Sequence, residues 1–265
     1  MSNKQSNADR FLGFADIYEN ARPRVPQYPI NVICRYLGKK PILVVDLGCG
    51  TGLSTEVWQN FCDKVIGVEP SDDMRSIADK KSNSKMSFIN AFSDSTGLDN
   101  SCADVVVCSQ SFHWMEPKST LNEVNRILKS GGVFAAIDCD WPPAAKWQAE
   151  KAYMQLYDKV KLIESEVSEI KNSFVRYPKN KHLDNITQSG YFTYTRELLF
   201  SNAETCTKDR FCNIILSQGS TQAILKKCPD LIEKELKAFY EEIDSCFEKE
   251  PFEIEFCYRM RVGIK

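Results

Sequence analysis

The sequence predicts an α/β fold: one seven-stranded, mostly parallel sheet with helices on both faces, plus a helical cap built from insertions in the C-terminal half. Three observations predict it. Short β-branched runs alternate with amphipathic segments from residue 42 to residue 138. Those runs are almost continuously apolar, as strands buried on both faces require. The last stretch, PFEIEFCYRMRVGIK, instead alternates apolar and polar residues from Phe252 to Ile264, the pattern of a closing strand with one covered face.

The elements follow in order. ILVVDL (42–47) is the first strand. LSTEVWQNF (53–61) is a helix, with Leu53, Val57 and Phe61 four residues apart. KVIGVEP (64–70) is the second strand, closed by Pro70. Ser71 is placed to cap the next helix, whose Met74, Ile77 and Ala78 form one apolar face and whose Lys80 and Lys81 suit its C-terminal end. KMSFINAF (85–92) and ADVVVCS (103–109) are the third and fourth strands. Pro117 opens a further helix, Leu121, Val124 and Leu128 line its inner face, and Gly131 and Gly132 are expected to end it. VFAAID (133–138) is the fifth strand. Strands and helices in this alternation imply parallel pairing with right-handed crossovers.

Past Asp138 the pattern changes. DWPPAAKW is a break. A long helix to about Lys171 follows, its Ala149, Tyr153, Leu156, Val160, Ile163, Val167 and Ile170 forming a narrow apolar stripe. YFTYTRELLF (191–200) is the sixth strand, and 204–249 reads as helices. The expectation is a single domain over 1–265. Its core lies at about 30–141, 181–203 and 250–265. Its cap, at about 142–180 and 204–249, is expected over the carboxyl edge of the sheet.

Composition narrows the function classes. A 43% hydrophobic content over 265 residues suits one large domain or two small ones. A net charge of −2, with acids and bases interspersed, creates no field that draws the chain to nucleic acid. The polar start MSNKQSNADR does not resemble a signal peptide, and no apolar run is long enough for a bilayer, so a cytoplasmic protein without a membrane partner is expected. The eleven cysteines include no Cys-x-x-Cys pair. Cys34, Cys49, Cys62, Cys108, Cys139, Cys212 and Cys257 sit inside apolar or periodic segments. They read as reduced, small hydrophobes, with no metal site.

The stretch VVDLGCGTG (44–52) carries the first functional signal. Gly48, Gly50 and Gly52 follow a strand and an acid, where the first N–H groups of a helix face the carboxyl edge of the sheet. An ordinary strand–helix turn needs one glycine; three let a ligand approach the backbone. A nicotinamide fingerprint would put its third glycine where Leu53 stands, and a phosphate loop would need Lys after its last glycine, which is absent here. Glu69 ends the second strand 17 residues after Gly52. A carboxylate there can accept both hydroxyls of a ribose.

With these residues in view, the sequence resembles the class I S-adenosylmethionine-dependent methyltransferases. The resemblance rests on VVDLGCGTG, GVEPSDDM, ADVVVCSQSFHWMEP and RILKSGGVFAAI, in that order, over roughly residues 40–138. YENARPRVPQYP (18–29) and SQSFHW (109–114) are similar to a small-molecule branch that includes trans-aconitate methyltransferase-like proteins. The resemblance implies a Rossmann-like fold, S-adenosylmethionine as cofactor and S-adenosylhomocysteine as product. It implies that Gly48, Gly50 and Gly52 approach the methionine part and that Asp46 arranges the loop. Glu69 would bind the ribose and Met74 would pack on adenine. Phe92 and Ser93 stand where family members meet the adenine amino group, often with an acid or amide. Ser109 and Gln110 would lie beside the sulfonium. Nucleobase amino-methylating enzymes carry Asn/Asp-Pro-Pro-aromatic where this chain has Ser109, Gln110, Ser111 and Phe112, which argues against a nucleic-acid substrate.

His113, just beyond the fourth strand between Phe112 and Trp114, is the candidate general base; the competing role is a structural histidine packed between aromatics. His182, in KNKHLDN, is expected to be solvated or to start a helix. Tyr18 and Arg22 are candidates to fold over the cofactor carboxylate, against a surface role for Arg22. Trp141 and Trp147 are candidates for an acceptor pocket, against core packing. Arg259 and Arg261 are candidates to hold an acceptor carboxylate, against surface ion pairing. The expected function is methyl transfer to a small-molecule acceptor, with a carboxylate the leading candidate. The alternatives are a cofactor-binding regulator without transferase activity and, less well supported, a nicotinamide oxidoreductase.

Overall fold

The structure, a computed structural model, describes residues 6, 7, 13, 15–171 and 174–265. The chain divides into two compact units. A sheet unit comprises Arg24–Cys139, Arg176–Phe200 and Tyr258–Lys265, and a second unit comprises Met1–Pro23, Asp140–Val175 and Ser201–Cys257.

Seven strands form one sheet: β1 (Leu43–Leu47), β2 (Lys64–Val68), β3 (Met86–Ile89), β4 (Ala103–Ser109), β5 (Leu128–Cys139), β6 (Tyr194–Cys206) and β7 (Phe252–Ile264). Their order is β3-β2-β1-β4-β5-β7-β6. The pairs β1–β2, β1–β4, β2–β3 and β4–β5 are parallel, and β5–β7 is antiparallel. The expected Rossmann-like, mostly parallel sheet is therefore present. The chain order reverses between β1 and β4, where Val44 pairs with Val105. Ligands of open α/β sheets bind at the carboxyl ends beside such a reversal. The first six residues of β4 are buried, as a central strand covered on both faces must be. Val45, Leu47, Val106, Cys108, Phe112, Leu121, Val124 and Phe134 close one face of the sheet. Each such aliphatic or aromatic side chain contributes roughly 1.5–3 kcal/mol by leaving water.

Four expectations change. The helix opened by Pro117 ends at Ile127, not at the glycines, and Leu128 is already extended and pairs with Ala103. Gly131, at φ 72°, sits in the irregular start of β5 and donates to the Lys265 carbonyl. Pairing with the neighbouring strand overrides the local stop signal. Glu116 caps the helix start instead, accepting the N–H groups of Lys118 and Ser119. β3 stops at Ile89, so Phe92 lies past its end, bridged to Ser95. Ser71 stands at the helix start, but its hydroxyl makes no capping bond. The long helix breaks at Val167 into Trp147–Glu166 and Ser168–Lys171, and Ile170 stays buried beyond the break.

The second unit is helical apart from the outer ends of β6 and β7. Tyr153, Phe211 and Phe239 meet at its centre, with ring centroids 6.2–6.5 Å apart. Gln218 donates to the Tyr153 hydroxyl at 2.6 Å, which satisfies the one polar atom of that ring. Seven of the eleven cysteines are buried. Among the described residues no helix is long and apolar enough to cross a membrane.

Candidate active site

The glycine turn is held from three sides. Asp46 is fully buried and accepts the hydroxyls of Ser54 (2.5 Å) and Thr55 (2.7 Å), both in the first turn of the helix Leu53–Trp58. Burial raises its carboxyl to about 6, against the lowering effect of the two hydroxyls. Gly48 and Cys49 donate to the Val68 carbonyl at 2.8 and 3.2 Å, which ties the turn to the end of β2. Gly48, Gly50 and Gly52 have φ of 66°, 57° and 86°, the left-handed region that side chains avoid. A Cβ on Gly48 would lie 2.7 Å from Ser111 and Met115, and one on Gly52 would lie 3.0 Å from Phe88. The room at those two glycines is thus taken by protein atoms as well as required by the backbone.

Glu69 lies just after β2 and is almost fully buried. One carboxylate oxygen accepts the Gly50 N–H at 2.9 Å and the other the Ser71 N–H at 2.8 Å. Burial pushes this carboxyl up to about 7, against the lowering effect of the two N–H groups and Arg75. Each oxygen keeps a second lone pair for a ligand donor. Met74 is buried on the helix Asp72–Asp79. Phe92 and Ser93 are half-buried in the turn after β3, where the Ser93 and Thr120 hydroxyls are 3.0 Å apart.

Ser109 ends β4, and Gln110 follows at φ 56°, a strained conformation for a residue with a side chain. Its N–H donates to the Ile137 carbonyl, its side-chain oxygen accepts from Lys179 at 3.3 Å, and its side-chain nitrogen is sealed without a hydrogen-bond partner. Ser111 donates to the Leu47 carbonyl at 2.6 Å, so the segment after β4 is pinned to the end of β1.

His113 sits in the short helix Phe112–Trp114. It is 7% exposed, its ring is 4.5 Å from that of Trp114, and its carbonyl accepts the Tyr177 N–H. Its Nδ1 is 3.5 Å from Asp138 Oδ1. Burial, helped by the Lys179 charge, lowers its pKa to about 3, so the ring is neutral at neutral pH.

Asp138 is the buried charged residue at the centre of this cluster that the sequence reading passed over. It is 2% exposed and stands among Lys179 (3.1 Å), Arg261 (2.9 Å), His113 and His182 (3.7 Å). Burial alone would raise its carboxyl, but Lys179 and the histidines hold it below the ordinary range. One signal could have found it: an acid closing an apolar strand at the carboxyl edge. Two expectations are corrected here. His182 starts the helix His182–Gln188 as expected but is fully buried, not solvated. Arg261 is 4% exposed rather than on the surface, and it bridges Asp138 and Glu197. Arg259 does make a partly exposed ion pair, 3.6 Å from Glu197.

Tyr18 and Arg22 belong to the second unit. There the Arg22 guanidinium lies 5.1 Å from the Tyr18 ring and 4.9 Å from the Trp141 ring and donates to the Ser217 carbonyl. Trp141 also meets Phe256 edge-on. Trp147 is 68% exposed, which excludes core packing.

Residues 45–136 match the family described as a methyltransferase domain. Within the sheet unit, residues 45–136 are thus similar to a methyltransferase domain, and they carry the glycine turn and the reversal of strand order. Among its relatives, the chain is 36% identical over 124 residues to CRG1 of Saccharomyces cerevisiae, named a probable S-adenosylmethionine-dependent methyltransferase; the match covers 44% of this chain and 43% of that protein. It is 26% identical over 156 residues to the ubiquinone/menaquinone biosynthesis C-methyltransferase UbiE of Campylobacter jejuni, covering 52% of this chain and 65% of that one. The chain thus spans about half the length of the curated relatives it matches. A solved structure from Anaeromyxobacter dehalogenans, provisionally named a type II methyltransferase, has the same fold. Its TM-score is 0.70 at 18% identity, over 92% of this chain and 97% of that one.

Proposed function

We propose that the chain is an S-adenosylmethionine-dependent methyltransferase with a small-molecule acceptor. The observation that carries this reading is the bridge from Glu69 to the Gly50 N–H. It sets a buried carboxylate beside a turn of three left-handed glycines, at the reversal of strand order. Glu69 has free lone pairs for ribose hydroxyls, and Met74, Phe92 and Ser93 are the side chains proposed to meet the adenine. Gly50 is the glycine proposed to approach the methionine part, with Asp46 holding the turn through Ser54 and Thr55. Ser109 and Gln110 are proposed to stand beside the reacting centre.

S-adenosylmethionine held there would supply a methyl group activated by its sulfonium, the carbon–sulfur pair going to sulfur as the acceptor's pair bonds the methyl carbon. What remains for the chain is alignment and exclusion of water. Lys179 has a side chain one-third exposed beside Gln110. It supports an acceptor that carries a negative group. His113 is the candidate to meet the acceptor's reacting atom.

Calorimetric titration with S-adenosylmethionine, followed by transfer of labelled methyl to pools of small molecules, tests the reading. Binding that depends on Glu69, with label appearing in a pool, is the expected result. Absence of binding overturns the reading. Binding without transfer to any pool makes the chain a cofactor-binding regulator instead.

A further inference from the structure

The strand β5 delivers Asp138 to the side of the short helix that carries His113, because Ile137 pairs with Ser109 at the end of β4. His113 Nδ1 and Asp138 Oδ1 are both sealed from solvent and lie 3.5 Å apart; Nδ1 has no hydrogen-bond partner of good geometry, while Oδ1 also meets the Lys179 ammonium at 3.1 Å. Buried polar atoms rarely stay unpaired. Two arrangements of the imidazole proton are open to a neutral ring. An ionised carboxylate has no hydrogen to give, so these two atoms satisfy each other only when the proton is on Nδ1.

We propose that Asp138 is a positioning residue that holds His113 as its Nδ1–H tautomer, leaving a bare Nε2 to meet a proton-bearing acceptor atom. Every charged neighbour is consistent with this. Arg261 and Lys179 keep Asp138 ionised from two sides. Glu197 shares Arg261, which keeps that guanidinium in place. Burial, with the nearby charges of Lys179 and Arg176, keeps His113 neutral. Trp114 and the Tyr177 N–H fix the ring's plane and its backbone. His113, Asp138 and His182 also lie within 4.8 Å of one another, a spacing that could hold a metal ion. Two cations already neutralise the shared carboxylate, so a dication there would be repelled.

The tautomer decides what the acceptor presents. The two imidazole nitrogens point in different directions, so with the proton on Nδ1 facing Asp138, Nε2 is left as a hydrogen-bond acceptor only. A bare carboxylate would set lone pairs against a lone pair. A hydroxyl, an amine or an acidic C–H donates instead, and gives its proton to Nε2 as its new bond to the methyl carbon forms. This arrangement therefore favours a protic nucleophile over the carboxylate expected from sequence. This substrate inference rests on the methyl-transfer reading; the tautomer itself does not.

Long-range nitrogen–proton NMR on the full chain with labelled histidine reads the tautomer without cofactor or acceptor. The chain has two histidines, so His113→Gln assigns both signals. The expected result at pH 7 is a protonated Nδ1 and a bare Nε2 on His113. The Nε2–H form in the folded wild type overturns the proposal and leaves the methyl-transfer reading standing. Lys179→Gln keeps the fold testable, because that side chain is one-third exposed. Removing its charge should strengthen the Nδ1–H···Oδ1 contact and raise the His113 titration midpoint; an unmoved midpoint also counts against the proposal. With a protic acceptor in hand, Asp138→Asn should lower kcat roughly 10²–10⁴-fold with little change in KM. A kcat within a factor of two in a folded variant would overturn the positioning role.

Discussion

Glu69 accepts the Gly50 N–H at 2.9 Å across 19 residues of sequence, and its other oxygen takes the Ser71 N–H. One carboxylate thus joins the glycine turn to the start of the next helix. Glu69→Ala should leave the sheet intact but strand two N–H groups, costing roughly 1–3 kcal/mol of stability. A lost charge-assisted bond to a ribose hydroxyl should weaken S-adenosylmethionine about ten- to a hundredfold. Calorimetry on the folded variant checks both; unchanged affinity would move the ribose elsewhere.

Two glycines with the same backbone sign should behave differently. Gly48 has φ 66° and its Cβ position is filled by Ser111 and Met115 at 2.7 Å. Gly38 has φ 73° with open space around it. Gly38→Ala should cost about 1 kcal/mol from backbone strain alone, while Gly48→Ala should add an overpacking cost of roughly 1–3 kcal/mol. Urea unfolding of the two variants gives the comparison. Equal losses would mean the neighbours of Gly48 move aside freely.

His182 makes an acid-side prediction. Its ring is fully buried against Phe112, 4.8 Å away, and burial lowers its pKa to about 4 from 6.5. The unfolded chain then binds more protons between those values, so the stability His182 protects is present above pH 6.5 and lost as pH falls towards 4. His182→Phe keeps the aromatic contact and removes the titration. Between pH 7 and pH 4.5 the variant should lose about 1–3 kcal/mol less than wild type. Parallel pH profiles would show that His182 is protonated equally in both states.

Glu69 has the opposite sign. Its folded pKa is raised to about 7 from 4.5, so its contribution is full at low pH and declines as pH rises through 7. In the cofactor-free protein, Glu69→Gln should flatten the fall in stability between pH 5 and pH 8. An unchanged slope, followed by denaturant melts, would mean the carboxyl is ionised well below pH 7 in the folded state.

Arg261 and Arg259 sit two residues apart on β7 and should differ sharply. Arg261 is buried between Asp138 and Glu197, and Arg259 is 41% exposed. Arg261→Met leaves a buried carboxylate with less compensation and should cost about 3–5 kcal/mol. Arg259→Met should cost under about 1 kcal/mol. Thermal melts of the two variants separate a structural cation from a surface one.

The sequence by itself determined the strands, the glycine turn and the acid after β2. All are written in neighbouring residues: β-branched runs, a Gly-x-Gly-x-Gly spacing, and an acid closing a strand. The same local rules misplaced the end of the helix after Pro117, because the pairing of Leu128 with Ala103 is a contact between distant segments. They left His182 as solvated or helix-starting and Arg261 between an acceptor contact and a surface ion pair, and did not see that both are buried. Only the tertiary structure decided the cluster around Asp138, which gathers residues 113, 138, 179, 182 and 261. No local spacing links those positions. They meet because β5 lies between β4 and β7 in the sheet, and once they are buried together each must find its charge or hydrogen-bond partner among the others.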